Sequence, residues 1–140
     1  MDAADDTIDY DADAVLGFLS TMGNHVAKSS RMTAIGVRRR GELIAGAVFE
    51  GFNGQNIWLH VAARSAHALT RRFLALCLGY AFVTCGVQRM SAMVAASNSP
   101  CLRAARKLGF ECEAALSRAA EDGGDVFVMV LWRQRCRIHV

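Results

Sequence analysis

The chain contains a single proline, Pro100, and its longest apolar runs fall well short of the roughly 18 residues that cross a bilayer. It has 5 cysteines, an odd number, and none of them form a Cys-x-x-C pair. This pattern argues against a disulfide framework, and no group of cysteine and histidine has the spacing of a zinc site. We therefore expect free thiols and no metal.

Lysine is scarce, and arginine carries almost all of the basic charge. The formal net charge is +3, with fourteen arginines against two lysines, and six aspartates fall within the first thirteen residues. The acidic N-terminus lacks the basic and apolar regions of a signal peptide, so we expect a cytoplasmic protein. Arg38 to Arg40 form a basic run, predicted to be a solvated turn, with a polyanion-binding patch as the alternative. No recognition motif or interleaved aromatics support nucleic-acid binding.

The periodicity of apolar residues predicts one mixed α/β domain spanning residues 1–140. Residues 1–10 are interpreted as a frayed, acidic lead-in, followed by a helix capped at Asp11 or Asp13 and ended near Gly23. The elements predicted after it are strands at 32–37, 42–49 and 57–62, a long helix at 66–84, a strand at 88–94, a helix ending at Gly109, and strands at 110–119 and 125–132.

The stretch from Asn98 to Phe110 is the most informative motif. It reads Asn-Ser-Pro-Cys-Leu-Arg-Ala-Ala-Arg-Lys-Leu-Gly-Phe, and it follows an apolar strand. It resembles the acetyl-CoA-binding helix and terminal loop of the GNAT superfamily of N-acetyltransferases. The resemblance covers about residues 30–137. It implies an α/β (α+β) GNAT fold, in which helices flank a twisted, mostly antiparallel sheet of about six to seven strands. Asn98 is expected to bond the cofactor.

The resemblance also implies where acetyl-CoA binds. The strand before the long helix separates from its neighbour, and His60, Val61 and Ala62 are expected to bond the pantetheine through the free backbone. The following loop holds the pyrophosphate at a helix N-terminus. In this chain we place that loop at Ser65, Ala66, His67, Ala68, Leu69, Thr70 and Arg71. An alternative register starts at Arg64. Neither register contains the glycines typical of the family.

Two residues are candidates for proton transfer. The superfamily often uses a tyrosine as the acid for the leaving thiolate, but that position is Ala105 here. Cys101, which also adjoins the expected cofactor site, stands where some relatives carry a serine acid, although it is also a typical small packing residue. Glu50, at the end of the second hairpin strand, is the candidate base, with a solvated strand-end glutamate as the alternative. His60 is a further titratable candidate or a packed strand residue.

The proposed reaction transfers an acetyl group from acetyl-CoA to a primary amine, on a small molecule or on a protein N-terminus or lysine. The alternative is a GNAT-fold protein that binds CoA or a partner without turnover. The chain resembles in particular the short GNAT-like proteins of bacteriophages and prophages. Acceptor selectivity is expected from the first helix, the loop at 23–32 and the hairpin at 119–125. The continuous apolar run of the last strand also suggests a homodimer.

Overall fold

A computed structural model describes residues 5–138. The strands are β1 (Thr7–Asp9), β2 (Thr33–Arg39), β3 (Glu42–Glu50), β4 (Asn56–Ala63), β5 (Arg89–Ala95), β6 (Glu111–Leu116) and β7 (Val126–Trp132). The α-helices are α1 (Ala12–Thr21), α2 (Arg71–Gly79) and α3 (Ser99–Leu108). Short 3₁₀ turns occur at Ala66–Ala68 and Arg133–Arg135, and a π-helical turn at Tyr80–Thr84 extends α2.

The strands form one seven-stranded sheet in the order β1-β2-β3-β4-β5-β7-β6. Neighbouring strands run antiparallel except for the parallel pair β4 and β5. One face of the sheet packs on α2 and α3 around Phe49, Phe73 and Met129, and α1 covers β2 and β3 on the other face. The mixed sheet of six to seven strands expected from the sequence is therefore confirmed.

The N-terminal segment differs from the expectation. The described part of residues 1–10 was expected to be frayed, but Thr7–Asp9 pairs with β2. Arg39 Nε and Nη2 donate to the two carboxylate oxygens of Asp6 at 2.7 and 2.9 Å, and Arg38 Nε donates to Asp9 at 2.8 Å. The prediction that the arginine run is a solvated turn was therefore wrong for Arg38 and Arg39, because aspartates distant in sequence draw both side chains back onto the sheet.

The predicted long helix at 66–84 is also interrupted. Thr70 has an extended backbone, and its side chain accepts a hydrogen bond from Phe73 N at 3.2 Å, so it is the N-cap of α2. The residues before it form the separate 3₁₀ turn. The helical spacing of apolar residues continues through this break. Such spacing alone does not show where a threonine caps a helix, so the sequence predicted one continuous helix.

Two glycines set how closely α1 approaches the sheet. Val15, Phe18 and Leu19 are buried against β2 and β3. A Cβ at Gly46 would lie 2.9 Å from Val15 Cγ1, and one at Gly36 would lie 2.9 Å from Val15 Cγ2. Any larger side chain at these two positions would therefore push α1 off the sheet.

The last strand lies inside the sheet, between β5 and β6. Met129, Val130 and Leu131 are buried within the single chain, while Trp132 is 37% exposed. β6 is exposed at each of its positions and forms the sheet edge. The homodimer inferred from the apolar run stays a prediction.

None of the helices within residues 5–138 is both long and apolar enough to cross a membrane.

Replacing Asp6 tests the pairing that holds β1. The Asp6 side chain is 3% exposed, and the hydrogen bond from Arg39 is the largest of the effects that lower the pKa of its carboxyl from the ordinary 3.8. Because the folded-state pKa is lowered, the stabilisation is present above pH 3.8 and is lost as the pH falls through the folded value. We expect Asp6→Asn to lower the free energy of unfolding by about 1–3 kcal/mol at pH 7.

The measurement is urea unfolding of the parent and Asp6→Asn at pH 7, 5 and 3. The difference should persist at pH 5 and shrink at pH 3. Asp5→Asn, a change at an exposed neighbour, is the control. An Asp6→Asn variant as stable as the parent at pH 7 would show that the ion pair does not hold β1.

Candidate active site

The central feature of the sheet is the early end of pairing between β4 and β5. The two strands pair at four positions, from Asn56 with Arg89 to Leu59 with Ala92. β4 nevertheless continues to Ala63, still paired with β3. From His60 onward, the side of β4 that faces β5 has no β5 partner among the described residues. An extended ligand can therefore pair with this edge as an added strand would.

The paired end of the two strands is fixed by a polar network. Asn56 Oδ1 accepts hydrogen bonds from Ser91 Oγ at 2.5 Å and from Arg89 Nε at 3.2 Å. The Arg89 guanidinium also pairs with Glu113 on β6 and lies 5.3 Å from the ring centre of Trp132. Sequence analysis missed this network, since Asn56 lies 33 and 35 residues from Arg89 and Ser91, Glu113 lies 24 residues from Arg89, and no local pattern connects them.

A cavity of about 1360 Å³ opens where the strands part. This exceeds the roughly 300–1,000 Å³ of ordinary small-molecule sites. Residues 59–63 of β4 line it, and α2 and α3 contribute Phe73, Cys77 and Ala105. Loop residues 22–27 and hairpin residues 119–122 also line it, so parts of two of the three segments expected to select the acceptor lie at the cavity. The third, α1, contributes none of the lining residues.

The predicted cofactor residues divide into two groups. Those that line the cavity are His60, Val61, Ala62, Ala66, Leu69, Asn98 and Cys101. The others are placed around the start of α2: Ser65, His67 and Arg71 are exposed, Ala68 is buried, and Thr70 caps the helix.

The start of α2 fits an anionic ligand without glycines. Thr70 Oγ1 satisfies Phe73 N, and the first N–H groups of a helix have no acceptor within the helix itself. These groups and the positive end of the helix dipole suit a pyrophosphate. Arg71 adds positive charge at the first helical position. The 3₁₀ turn before the helix carries two small side chains, Ala66 and Ala68.

Asn98 has a role in the protein itself. It is the N-cap of α3, where its Oδ1 accepts a hydrogen bond from Cys101 N at 3.3 Å. Pro100 lies in the first turn, where its missing N–H costs nothing, and Gly109 ends the helix with φ of 112°. Since Asn98 also lines the cavity, its side-chain NH₂ group remains available to a ligand.

Cys101 is half-buried in the first turn of α3 and lines the same cavity. Burial raises the pKa of its thiol, so the group stays protonated at neutral pH. A protonated thiol is the form that a proton donor requires and not the form of a nucleophile.

Glu50 and His60 lie side by side. Val48 packs against α1, and His60 is its partner on β4. Glu50 lies two residues from Val48 on the same strand, so both Glu50 and His60 project from the α1 face of the sheet. His60 Nε2 lies 3.0 Å from Glu50 Oε2, and the side chains are 24% and 34% exposed. His60 lines the cavity, whereas Glu50 is not among the lining residues.

Within residues 5–138, no three side chains of His, Cys, Asp or Glu come together in a group that could hold a metal ion.

Solved structures with a similar architecture include spermidine N-acetyltransferases. The spermidine/spermine N-acetyltransferase SpeG of Vibrio cholerae, in complex with manganese ions, superposes with a TM-score of 0.71 at 14% identity, covering 92% of this chain and 93% of that one. The dodecameric spermidine N-acetyltransferase from the same organism, in an intermediate state, gives 0.72 at 14% identity, covering 94% and 95%. A chimera of SpeG and hSSAT gives 0.73 at 14% identity, covering 93% and 96%.

No protein-family model matches the sequence, and no match is found among curated proteins. The structural matches nevertheless cover nearly the whole chain in both directions, so the chain has the GNAT fold. At this level of identity the likeness establishes the fold alone.

Two substitutions at Asn98 separate capping from ligand binding. Asn98→Ser keeps a good N-cap but removes the amide NH₂ group, whereas Asn98→Ala removes both. We expect Asn98→Ala to lose about 0.5–2 kcal/mol of stability and Asn98→Ser to stay near the parent. Both variants should bind acetyl-CoA about 1–3 kcal/mol more weakly, because the polar contact is lost in each.

Thermal unfolding and calorimetric titration with acetyl-CoA provide the two measurements. If Asn98→Ser binds acetyl-CoA as tightly as the parent, Asn98 is a helix cap only.

Proposed function

We propose that this protein is an N-acetyltransferase that transfers an acetyl group from acetyl-CoA to a primary amine. The observation that carries the proposal is the gap between β4 and β5. It is closed at one end by the Asn56 network and lined on one side by α2 and α3. A path between two parted strands suits an extended amide-bearing chain such as pantetheine.

In this proposal the backbone of His60, Val61 and Ala62 holds the pantetheine. The N-terminal end of α2, with Arg71, holds the pyrophosphate. The side-chain NH₂ group of Asn98 donates to a cofactor carbonyl. The missing glycines do not remove the N–H donors, because each donor belongs to the backbone, and two of the three residues of the 3₁₀ turn are alanines.

Cys101 is our candidate for the acid that protonates the departing sulfur. It lines the cavity and its thiol is held protonated by burial. The tyrosine that relatives use is replaced by Ala105, which also lines the cavity and leaves room beside Cys101.

The acceptor enters from the loop side in this proposal. Glu121 and Asp122 belong to the lining there. Asp122 is ionised, because hydrogen bonds from Ser97 Oγ and Gly124 N lower the pKa of its carboxyl. Carboxylates at this mouth favour a cationic amine. Spermidine, the amine named for the SpeG structures, is the first acceptor to test, followed by lysine-bearing and N-terminal peptides. The cytoplasmic location and the phage or prophage origin stay predictions.

Acetyl-CoA should stabilise the fold and be consumed. A ligand that binds only the native state adds about 2.7 kcal/mol at a hundredfold excess over its Kd, enough to raise Tm by several degrees. Thiol release with an amine panel then measures turnover. A Tm that does not move at millimolar acetyl-CoA would remove the cofactor assignment. A Tm rise without thiol release from any amine would instead favour a CoA-binding protein without turnover.

Substitution of Cys101 tests the acid. Cys101→Ala should lower kcat while acetyl-CoA affinity holds, because a proton donor acts mainly in the transition state. Cys101→Ser should retain more activity, since a hydroxyl is the better donor. Equal kcat in the parent and both variants would assign the proton to water and leave Cys101 as a packing residue.

A further inference from the structure

The pair formed by Glu50 and His60 occupies the point where the strands part. Leu59 is the last β4 residue paired with β5, and His60 is the next. On β4, His60 faces the side of the sheet opposite to Leu59 and Val61, the side of α1 and the loop at 22–27. A reactive group held between β4 and β5 would therefore have His60 beside it.

The contact between the two side chains fixes which nitrogen is free. His60 Nε2 is 3.0 Å from Glu50 Oε2, so the proton on neutral imidazole is favoured on Nε2, next to the carboxylate. Nδ1 then carries the lone pair. Both side chains are partly buried, which limits their movement and screens them from bulk solvent.

We propose that His60 is the general base of this enzyme and that Glu50 is a positioning residue that acts through it. This assignment rests on the proposed acetyltransferase function. It reverses the sequence expectation that Glu50 itself is the base, because His60 lines the cavity, whereas Glu50 contacts His60 and is not among the lining residues.

The cationic acceptor loses one proton to His60 Nδ1, which frees the lone pair of its nitrogen. The lone pair forms a bond to the thioester carbonyl carbon, and the C–S bond breaks with its electron pair leaving on sulfur. Sulfur takes a proton from Cys101 or water, and the second proton lost by the nitrogen passes through solvent to the Cys101 thiolate or to hydroxide. The products are an amide and free CoA, and His60 returns its proton to solvent.

Other charged groups face the same cavity. His25, Glu121 and Asp122 come from the two loops, and Arg103 and Lys107 come from α3. His25 is the alternative imidazole, but its Nδ1 lies 3.0 Å from Ser20 Oγ at the end of α1. Glu121 and Asp122 are on a hairpin tip, where Asp122 is engaged by Ser97 and Gly124.

A four-variant experiment tests the assignment by the pH dependence of kcat, which reports groups in the ternary complex. His60→Gln keeps an NH₂ group toward Glu50 but cannot accept a proton. We expect kcat to fall by roughly 10² to 10⁴-fold, with the acid limb of the profile gone. Glu50→Gln should keep the acid limb and lose no more than about 10²-fold, the lower end of that range.

Matched controls separate catalysis from structure. Glu42→Gln alters an exposed carboxylate at the other end of β3 and should leave kcat unchanged. His25→Gln should keep the acid limb. The rise in Tm with acetyl-CoA should be preserved in His60→Gln and Glu50→Gln, since neither side chain is assigned to cofactor binding.

The outcomes are distinguishable. A His60→Gln variant with the parent's kcat and pH profile overturns the His60 assignment alone. Loss of the acid limb in His25→Gln instead of His60→Gln does the same. A Glu50→Gln variant as impaired as His60→Gln and lacking the limb would return the base role to Glu50. Absence of turnover in the parent with every amine overturns the proposed function and this inference with it.

Discussion

The departure of β5 from β4 after Leu59 and Ala92 is the constraint on which the candidate site depends. β4 cannot follow β5, because its other edge stays paired with β3 as far as Ala63. β5 in turn stays paired with β7 along its whole length. Two rigid halves of one sheet therefore diverge at a single point. The Asn56 network holds them together below that point, and the cavity occupies the gap above it.

Helix starts supply the polar groups around this gap. Both α2 and α3 begin beside it. The side chain of Thr70 caps the start of α2, and the side chain of Asn98 caps the start of α3. The caps use one acceptor each and leave other groups for a ligand. The proposed cofactor site thus consists of backbone N–H groups, a side-chain amide and apolar lining more than of charged side chains. This explains how the loop before α2 can lack glycine and still suit a phosphate.

The opposite face of the sheet has a different character. Gly36 and Gly46 let α1 sit close on β2 and β3, and this leaves Glu50 and His60 at the margin of the covered area, next to the cavity. The ion pairs of Asp6 and Asp9 with Arg39 and Arg38 close the far edge with β1. The packing of α1 and the pairing of β1 therefore stabilise β2 and β3, and β3 in turn pairs with β4.

The amino-acid sequence by itself determined what is local. Apolar periodicity, the Asn98 to Gly109 helix and the turn residues predicted most strands and helices, since each is specified by neighbours within a few residues. Tertiary structure decided what needs distant partners. β1 forms because Arg38 and Arg39 meet aspartates about thirty residues earlier. The contact between Glu50 and His60 depends on the register of β3 and β4. The point where β4 and β5 part depends on the strands flanking both, and no local pattern encodes that competition.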